Sequence, residues 1–194
     1  MGERRLILVR HGAYDYSDRP GQGRLNDLGR RQAEAVADLL GSHPIDAVHV
    51  STLVRAEETA EAISLRHPGV PVRRAHLLRE CVPPVPDAMQ REFERRSDGW
   101  PDEESTGACA GRLDRAYARY FTRTRGPSRE EVLVAHGNAI RYLVARAIGA
   151  DARVWLTMDT HNCGVTEVRI DRERGPVLVS FNETGHLPAE LRTL

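Results

Sequence analysis

The sequence predicts an α/β protein: a three-layer α/β/α sandwich on a mostly parallel sheet with an antiparallel strand. Three observations carry this expectation. The apolar runs at 6–9 and 132–135 lack alternation, as strands buried on both faces do. Stretches of helical period separate the strands in the order β-α-β-α-β-(α)-α-β-α-β-β, and such alternation builds a parallel sheet with helices on both faces. The last two strands are joined by a short turn, as in an antiparallel hairpin.

Each element has its own local reason. Residues 6–9 form the first strand. Residues 25–41 form a helix: Asn26 is a plausible N-cap, Asp27 suits the positive end of the dipole, and Gly41 suits the C-cap. Leu28, Ala35, Val36, Leu39 and Leu40 are its expected buried stripe. Residues 47–50 form a second strand and 52–66 a second helix, stopped by His67-Pro68-Gly69. A third strand is placed at 70–73. Between 81 and 110 the chain becomes rich in proline and glycine, and Arg91, Arg95 and Arg96 cluster there. This reads as a cap holding a short helix over one end of the sheet. A helix at 111–124 packs through Leu113, Ala116, Tyr117, Tyr120 and Phe121. The strand at 132–135 feeds a strongly periodic helix at 138–148, ended by Gly149. Thr166, Val168 and Ile170 mark a half-exposed strand, and the turn at 171–176 returns the chain to 177–181.

The length, 194 residues, suits a single domain over 1–194. Charges balance at 28 bases and 28 acids, which argues against a nucleic-acid binder driven by a global positive field. Every basic residue is arginine. Without lysine there is no Schiff-base nucleophile and no Walker A phosphate loop. No apolar run approaches membrane-spanning length, and none resembles a signal-peptide core. Cys81, Cys109 and Cys163 are odd in number and widely spaced, so free thiols in a reducing cytoplasm are expected. Oligomeric state stays open, although the 163–181 hairpin could offer an edge to a second copy as a homodimer.

In parallel sheets ligands sit beyond the carboxyl ends of the strands. There the chain places Arg10-His11-Gly12, then Ser51-Thr52-Leu53-Val54-Arg55, then His136-Gly137-Asn138, with Glu80 just before the proline-rich segment. Two arginines, two histidines and two helix N-termini make an anion site. A neutral imidazole beside arginines is a competent nucleophile near pH 7. Glu80 can protonate a leaving oxygen and then activate water. Arginine supplies the positive charge, so no metal and no cofactor are expected.

At these residues the chain resembles the histidine phosphatase superfamily, also called phosphoglycerate-mutase-like. Leu8-Val9-Arg10-His11-Gly12 looks like its signature, the stretch from Ser51 to Ala60 its second block, and Val134-Ala135-His136-Gly137-Asn138 its third. The resemblance implies that His11 accepts the phosphoryl group. Arg10, Arg55, His136 and Gly137 would hold that group, and Glu80 would be the proton donor. Leu77-Leu78-Arg79-Glu80 with the prolines after it, the 136–149 segment, and Thr184-Gly185-His186-Leu187-Pro188 are closer to the superfamily's mitochondrial serine/threonine protein phosphatases. With few residues before the first strand, no N-terminal membrane or assembly segment is expected, and mitochondrial placement is not carried over.

Ala13-Tyr14 departs from the acidic or amide residue and threonine common after the signature. The short stretch between Glu80 and His136 favours hydrolysis over mutase chemistry. The expected function is thus a metal-independent phosphomonoesterase, acting on a phosphoprotein or on a small phosphomonoester such as a sugar or nucleotide phosphate. A phosphoglycerate mutase-like phosphoryl transferase and a non-enzymatic phosphate-binding scaffold are the alternatives. Cys81 directly follows the acid, where a structural thiol is a simpler reading than oxidative gating.

Overall fold

The computed structural model describes residues 2–15, 23–91, 93 and 105–194. Six strands form one sheet: β1 (Arg4–Arg10), β2 (Ala47–Val50), β3 (Val72–Arg74), β4 (Arg129–Ala135), β5 (Val165–Asp171) and β6 (Gly175–Glu183). Their order is β3-β2-β4-β1-β5-β6. β1 and β2 both run parallel to β4, and β3 runs parallel to β2. β5 is antiparallel to both neighbours, so it alone opposes the common direction. Arg10 lies level with Ala135, and Val50 with Val134, so β1, β2 and β4 end at one edge.

The three layers follow from the period-two alternation of β1 and β4. Ile7, Val9, Val132 and Val134 face one core with α1 (Asp27–Leu40) and α2 (Val54–Leu65). Leu6, Leu8, Leu133 and Ala135 face the other, with α3 (Thr106–Tyr120) and α4 (Gly137–Ala147). Apolar residues are needed on both sides, which is why these strands read as unbroken runs.

The caps act as their residue types suggest. Asn26 accepts from Gly29 N at the start of α1. Gly149 ends α4 at φ +71°, a left-handed turn suited to glycine. The α1 stripe is displaced from expectation. Gly29, Gln32, Ala33, Val36, Ala37 and Leu40 are buried, whereas Leu39 is exposed and Leu28 half-buried. Close packing on the sheet selects small residues and one amide there rather than every leucine. α3 begins at Thr106, capped by Ser105, five residues before its expected start and inside the expected cap. β3 is Val72–Arg74, exposed at the sheet edge. Of the cap, 81–91 carries a 3-10 turn at Asp87–Met89; Arg91 is exposed, and Arg95 and Arg96 lie outside the described residues.

One expectation is overturned. Cys81 and Cys109 form a disulfide, with Cα atoms 5.8 Å apart, and only Cys163 is a free, buried thiol. Pairing cannot be read from spacing: the partners are 28 residues apart and meet only because α3 packs beneath the segment after Glu80. The cysteines therefore no longer argue for a reducing compartment.

Candidate active site

The site begins where β1 runs out. Past Arg10 the chain leaves the sheet, yet its backbone stays anchored on every side. His11 N donates to Ala135 O (3.0 Å), Cys163 N to Arg10 O (3.0 Å) and Asn162 Nδ2 to His11 O (3.0 Å). Gly12 N donates to Thr59 Oγ1 of α2 at 3.1 Å, and Ala13 N to Gln32 Oε1 of α1 at 2.7 Å. The turn lies directly on the start of α1. A Cβ on Gly12 would come within 2.5 Å of Gly29 O, and one on Gly29 within 1.8 Å of Ala13 O. Both opposing atoms are backbone and cannot swing away. Gly29→Ala is therefore expected to destabilise the fold by about 3 kcal/mol, read as a lowered denaturation midpoint. Gly107→Ala is the control: its Cβ would meet nothing within 4 Å, so a slight gain in stability is expected. Equal midpoints for the two variants would show that the close approach is not demanding.

This anchoring sets the tautomer of His11. Its Nδ1–H donates to Gly12 O at 2.8 Å, which leaves the lone pair on Nε2. That lone pair accepts from Arg55 Nε at 3.1 Å. Burial, then the charges of Arg55 and Arg10, hold the imidazole pKa well below its ordinary value. His11 is thus neutral and nucleophilic at Nε2. Tyr14 completes this corner. Its ring lies under the Arg55 guanidinium at 4.5 Å and edge-on to His11 at 5.1 Å.

His136, the residue before α4, stands beside His11 with ring centroids 5.0 Å apart. Its Nε2 meets Ser51 Oγ at 2.7 Å, at the end of β2. Ser51 Oγ also accepts from Leu53 N (3.4 Å), and with His136 Nε2 the acceptor within 2.7 Å of its hydroxyl, the hydroxyl proton is assigned to that bond. The imidazole proton then lies on Nδ1, which is buried with no hydrogen-bond partner among the described residues. Burial, then the neighbouring His11, keeps the His136 pKa well down. It is a neutral donor. Gly137 opens α4 beside Arg10, whose Nε lies 3.6 Å from where a Gly137 Cβ would be.

Glu80 meets the start of α4. Its Oε2 accepts from Asn138 N (3.3 Å), and its Oε1 from Ala139 N (3.3 Å) and Cys81 N (3.2 Å). The sequence points these helix amides toward a ligand; two of them bind the Glu80 carboxyl group instead. Burial raises the Glu80 pKa, against the opposing pull of Arg55 and these N–H groups. Arg10, His11, Arg55, His136 and Glu80 therefore gather at the carboxyl edge of the sheet, as expected.

Three supporting residues were not expected. Gln32 is fully buried; besides Ala13 N it binds Leu191 O (2.6 Å) and Thr193 Oγ1 (2.8 Å), bracing the His11 turn against the C-terminal segment. Asn162 holds His11 O and accepts from Thr193 Oγ1 at 3.0 Å. Buried Arg112 donates to Leu77 O (3.0 Å) and Arg79 O (2.9 Å), fixing the segment that leads into Glu80. Gln32 and Arg112 lie in amphipathic helices and Asn162 in a turn, where a polar residue reads as solvated and only its distant partners reveal otherwise.

The fold and this cluster are those of the histidine phosphatase class of proteins. The chain belongs to the histidine phosphatase superfamily (branch 1), whose family model matches residues 6–184. Among curated relatives, the mitochondrial serine/threonine-protein phosphatase Pgam5 of Caenorhabditis elegans is 34% identical over 191 residues, covering 95% of this chain and 64% of that one. The chain thus spans about two thirds of that relative's length. Among solved structures, Entamoeba histolytica phosphoserine phosphatase in complex with 3-phosphoglyceric acid is 25% identical with TM-score 0.70, covering 95% of this chain and 100% of that one. Plasmodium falciparum phosphoglycerate mutase is 26% identical with TM-score 0.65, covering 97% and 96%. The chain accordingly has a phosphoglycerate-mutase-like fold.

Proposed function

We propose that this chain is a phosphomonoesterase that works through a phosphohistidine on His11. The observation that carries the reading is the Nδ1–H bond of His11 to Gly12 O, which leaves a neutral Nε2 facing Arg55. In the first step Nε2 attacks phosphorus and the phosphorus–oxygen ester bond breaks. Arg55 exchanges its bond to Nε2 for a phosphoryl oxygen. Arg10, the Nδ1–H of His136 and the Gly137 amide take the remaining equatorial charge. The Glu80 carboxyl gives its proton to the leaving oxygen. In the second step the Glu80 carboxylate accepts a proton from water, the water oxygen bonds to phosphorus, and the phosphorus–nitrogen bond breaks.

For the substrate class, the likeness to a serine/threonine-protein phosphatase supports a phosphoprotein. A small phosphomonoester is the second reading, supported by the likeness to a phosphoserine phosphatase. The deciding experiment is phosphate release from phosphoserine and phosphothreonine peptides, sugar phosphates and phosphoglycerates, with chelator present. Peptide turnover well above the rest supports the first reading, and turnover of small phosphates alone supports the second. Faster isomerisation than hydrolysis of phosphoglycerate would instead make the chain a mutase. Tight phosphate binding without turnover would make it a scaffold.

Glu80 adds a pH prediction. A general acid works protonated, and burial raises this carboxyl's pKa. The kcat/KM on phosphoserine peptides is expected to fall as pH rises through that raised value. His11, held neutral far below its ordinary range, imposes no opposing loss until well into acid. In kcat/KM, which reports only the steps up to phosphohistidine formation, Glu80→Gln is expected to slow phosphopeptides by about 10²-fold and para-nitrophenyl phosphate much less, since its leaving group needs little protonation. Equal losses on both substrates would remove Glu80 from the acid role.

A further inference from the structure

The disulfide stands one residue from the proposed acid. Cys81 N–H donates to Glu80 Oε1 (3.2 Å), and Cys81 O accepts from Asn138 Nδ2 (3.0 Å). The Cys81 sulfur is bonded to Cys109, in the first turn of α3. One short segment is therefore tied to the start of α4 by hydrogen bonds and to α3 by a covalent bond. The sulfurs lie in a third apolar cluster with Val82, Leu113, Ala139, Tyr142 and Trp155. Ala139 belongs to that cluster and also donates its N–H to Glu80. Packing around the sulfurs and placement of the carboxyl group thus share a residue.

We propose that the Cys81–Cys109 pair is a thiol–disulfide modification site that sets the position of Glu80, making the acid step follow the redox state of an external dithiol couple. The inference rests on the acid role of Glu80. Two thiols need roughly 1.5 Å more between their sulfurs than a bonded pair does. Cys109, Leu113 and Ala139 are fully buried, so the added separation is taken up on the Cys81 side, and Glu80 moves with it. Misplacing a catalytic group by about 1 Å is enough to slow a reaction severely.

The exchange balances. A thiolate of the dithiol attacks the Cys81 sulfur, which is on the more accessible residue: Cys81 keeps 8% exposure and Cys109 none. A mixed disulfide forms and the Cys81–Cys109 bond breaks. Cys109 leaves as a thiolate at the positive end of α3 and then takes a proton. The second sulfur of the dithiol attacks its own bonded sulfur and releases Cys81, which is protonated in turn. Two electrons pass to the protein pair and the dithiol becomes a disulfide.

The test compares the full chain before and after equilibration with reduced and oxidised dithiothreitol. Alkylation under denaturing conditions, read by mass, counts the free thiols. The oxidised protein is expected to show Cys163 alone, and the reduced protein all three. On reduction, kcat/KM for a phosphoserine peptide is expected to fall about tenfold, with that for para-nitrophenyl phosphate nearly unchanged and full recovery on re-oxidation. The Cys81→Ala/Cys109→Ala double variant is expected to ignore the reductant. Three alkylated cysteines under oxidising conditions would overturn the proposal. So would complete reduction with an unchanged ratio of the two rates, or equal loss on both substrates, which reports general loosening. Failure of the acid reading is seen separately, in Glu80→Gln assayed without reductant.

Discussion

His11→Ala is expected to reduce phosphate release to background, a loss of roughly 10⁵-fold or more, because the variant removes the atom that forms the bond to phosphorus. The fold should survive. The His11 backbone is held through its N–H to Ala135 O and its carbonyl to Asn162 Nδ2, neither of which needs the imidazole. The diagnostic reading is covalent. Wild-type protein quenched in base during turnover of a ³²P-labelled substrate should carry acid-labile label on His11, and the variant should carry none. Wild-type turnover without any such label would remove His11 from the covalent role and leave direct attack by water.

The fold was legible where packing imposes a pattern. β1 and β4 are apolar on both faces because helices cover both, and Asn26 and Gly149 terminate helices through local bonds and φ alone. The reacting groups were legible as well, because strand ends in a parallel sheet share an edge. The supports were not. Gln32, Asn162 and Arg112 act on partners distant in sequence, and nothing in their neighbours distinguishes them from solvated side chains. Ser51 was visible as a strand end, but its bond to His136 depends on the rotamer of a residue 85 positions later. The disulfide was hidden for the same reason, since pairing is a property of packing and not of spacing.

Arg55 carries the second large effect, because one guanidinium serves several groups. Its Nε meets the nucleophilic nitrogen, its plane covers Tyr14, and its charge depresses the pKa values of both His11 and His136. Arg55→Ala is expected to lower kcat/KM by about 10³-fold, the scale of losing one preorganised charged donor to the transferring phosphoryl group. Arg55→Lys should recover only part of this, because a point charge cannot reproduce the planar fork. The pH profile separates chemistry from simple loss of packing. Without the Arg55 charge, one cause of the low His11 pKa is gone, so the imidazole binds its proton more readily. In Arg55→Ala the loss of activity toward acid should therefore begin at a higher pH than in wild type. In Arg55→Lys, which keeps the charge, it should stay near the wild-type position. An unshifted acid limb in Arg55→Ala would mean that burial alone keeps His11 neutral, and that Arg55 acts only on the phosphoryl oxygens.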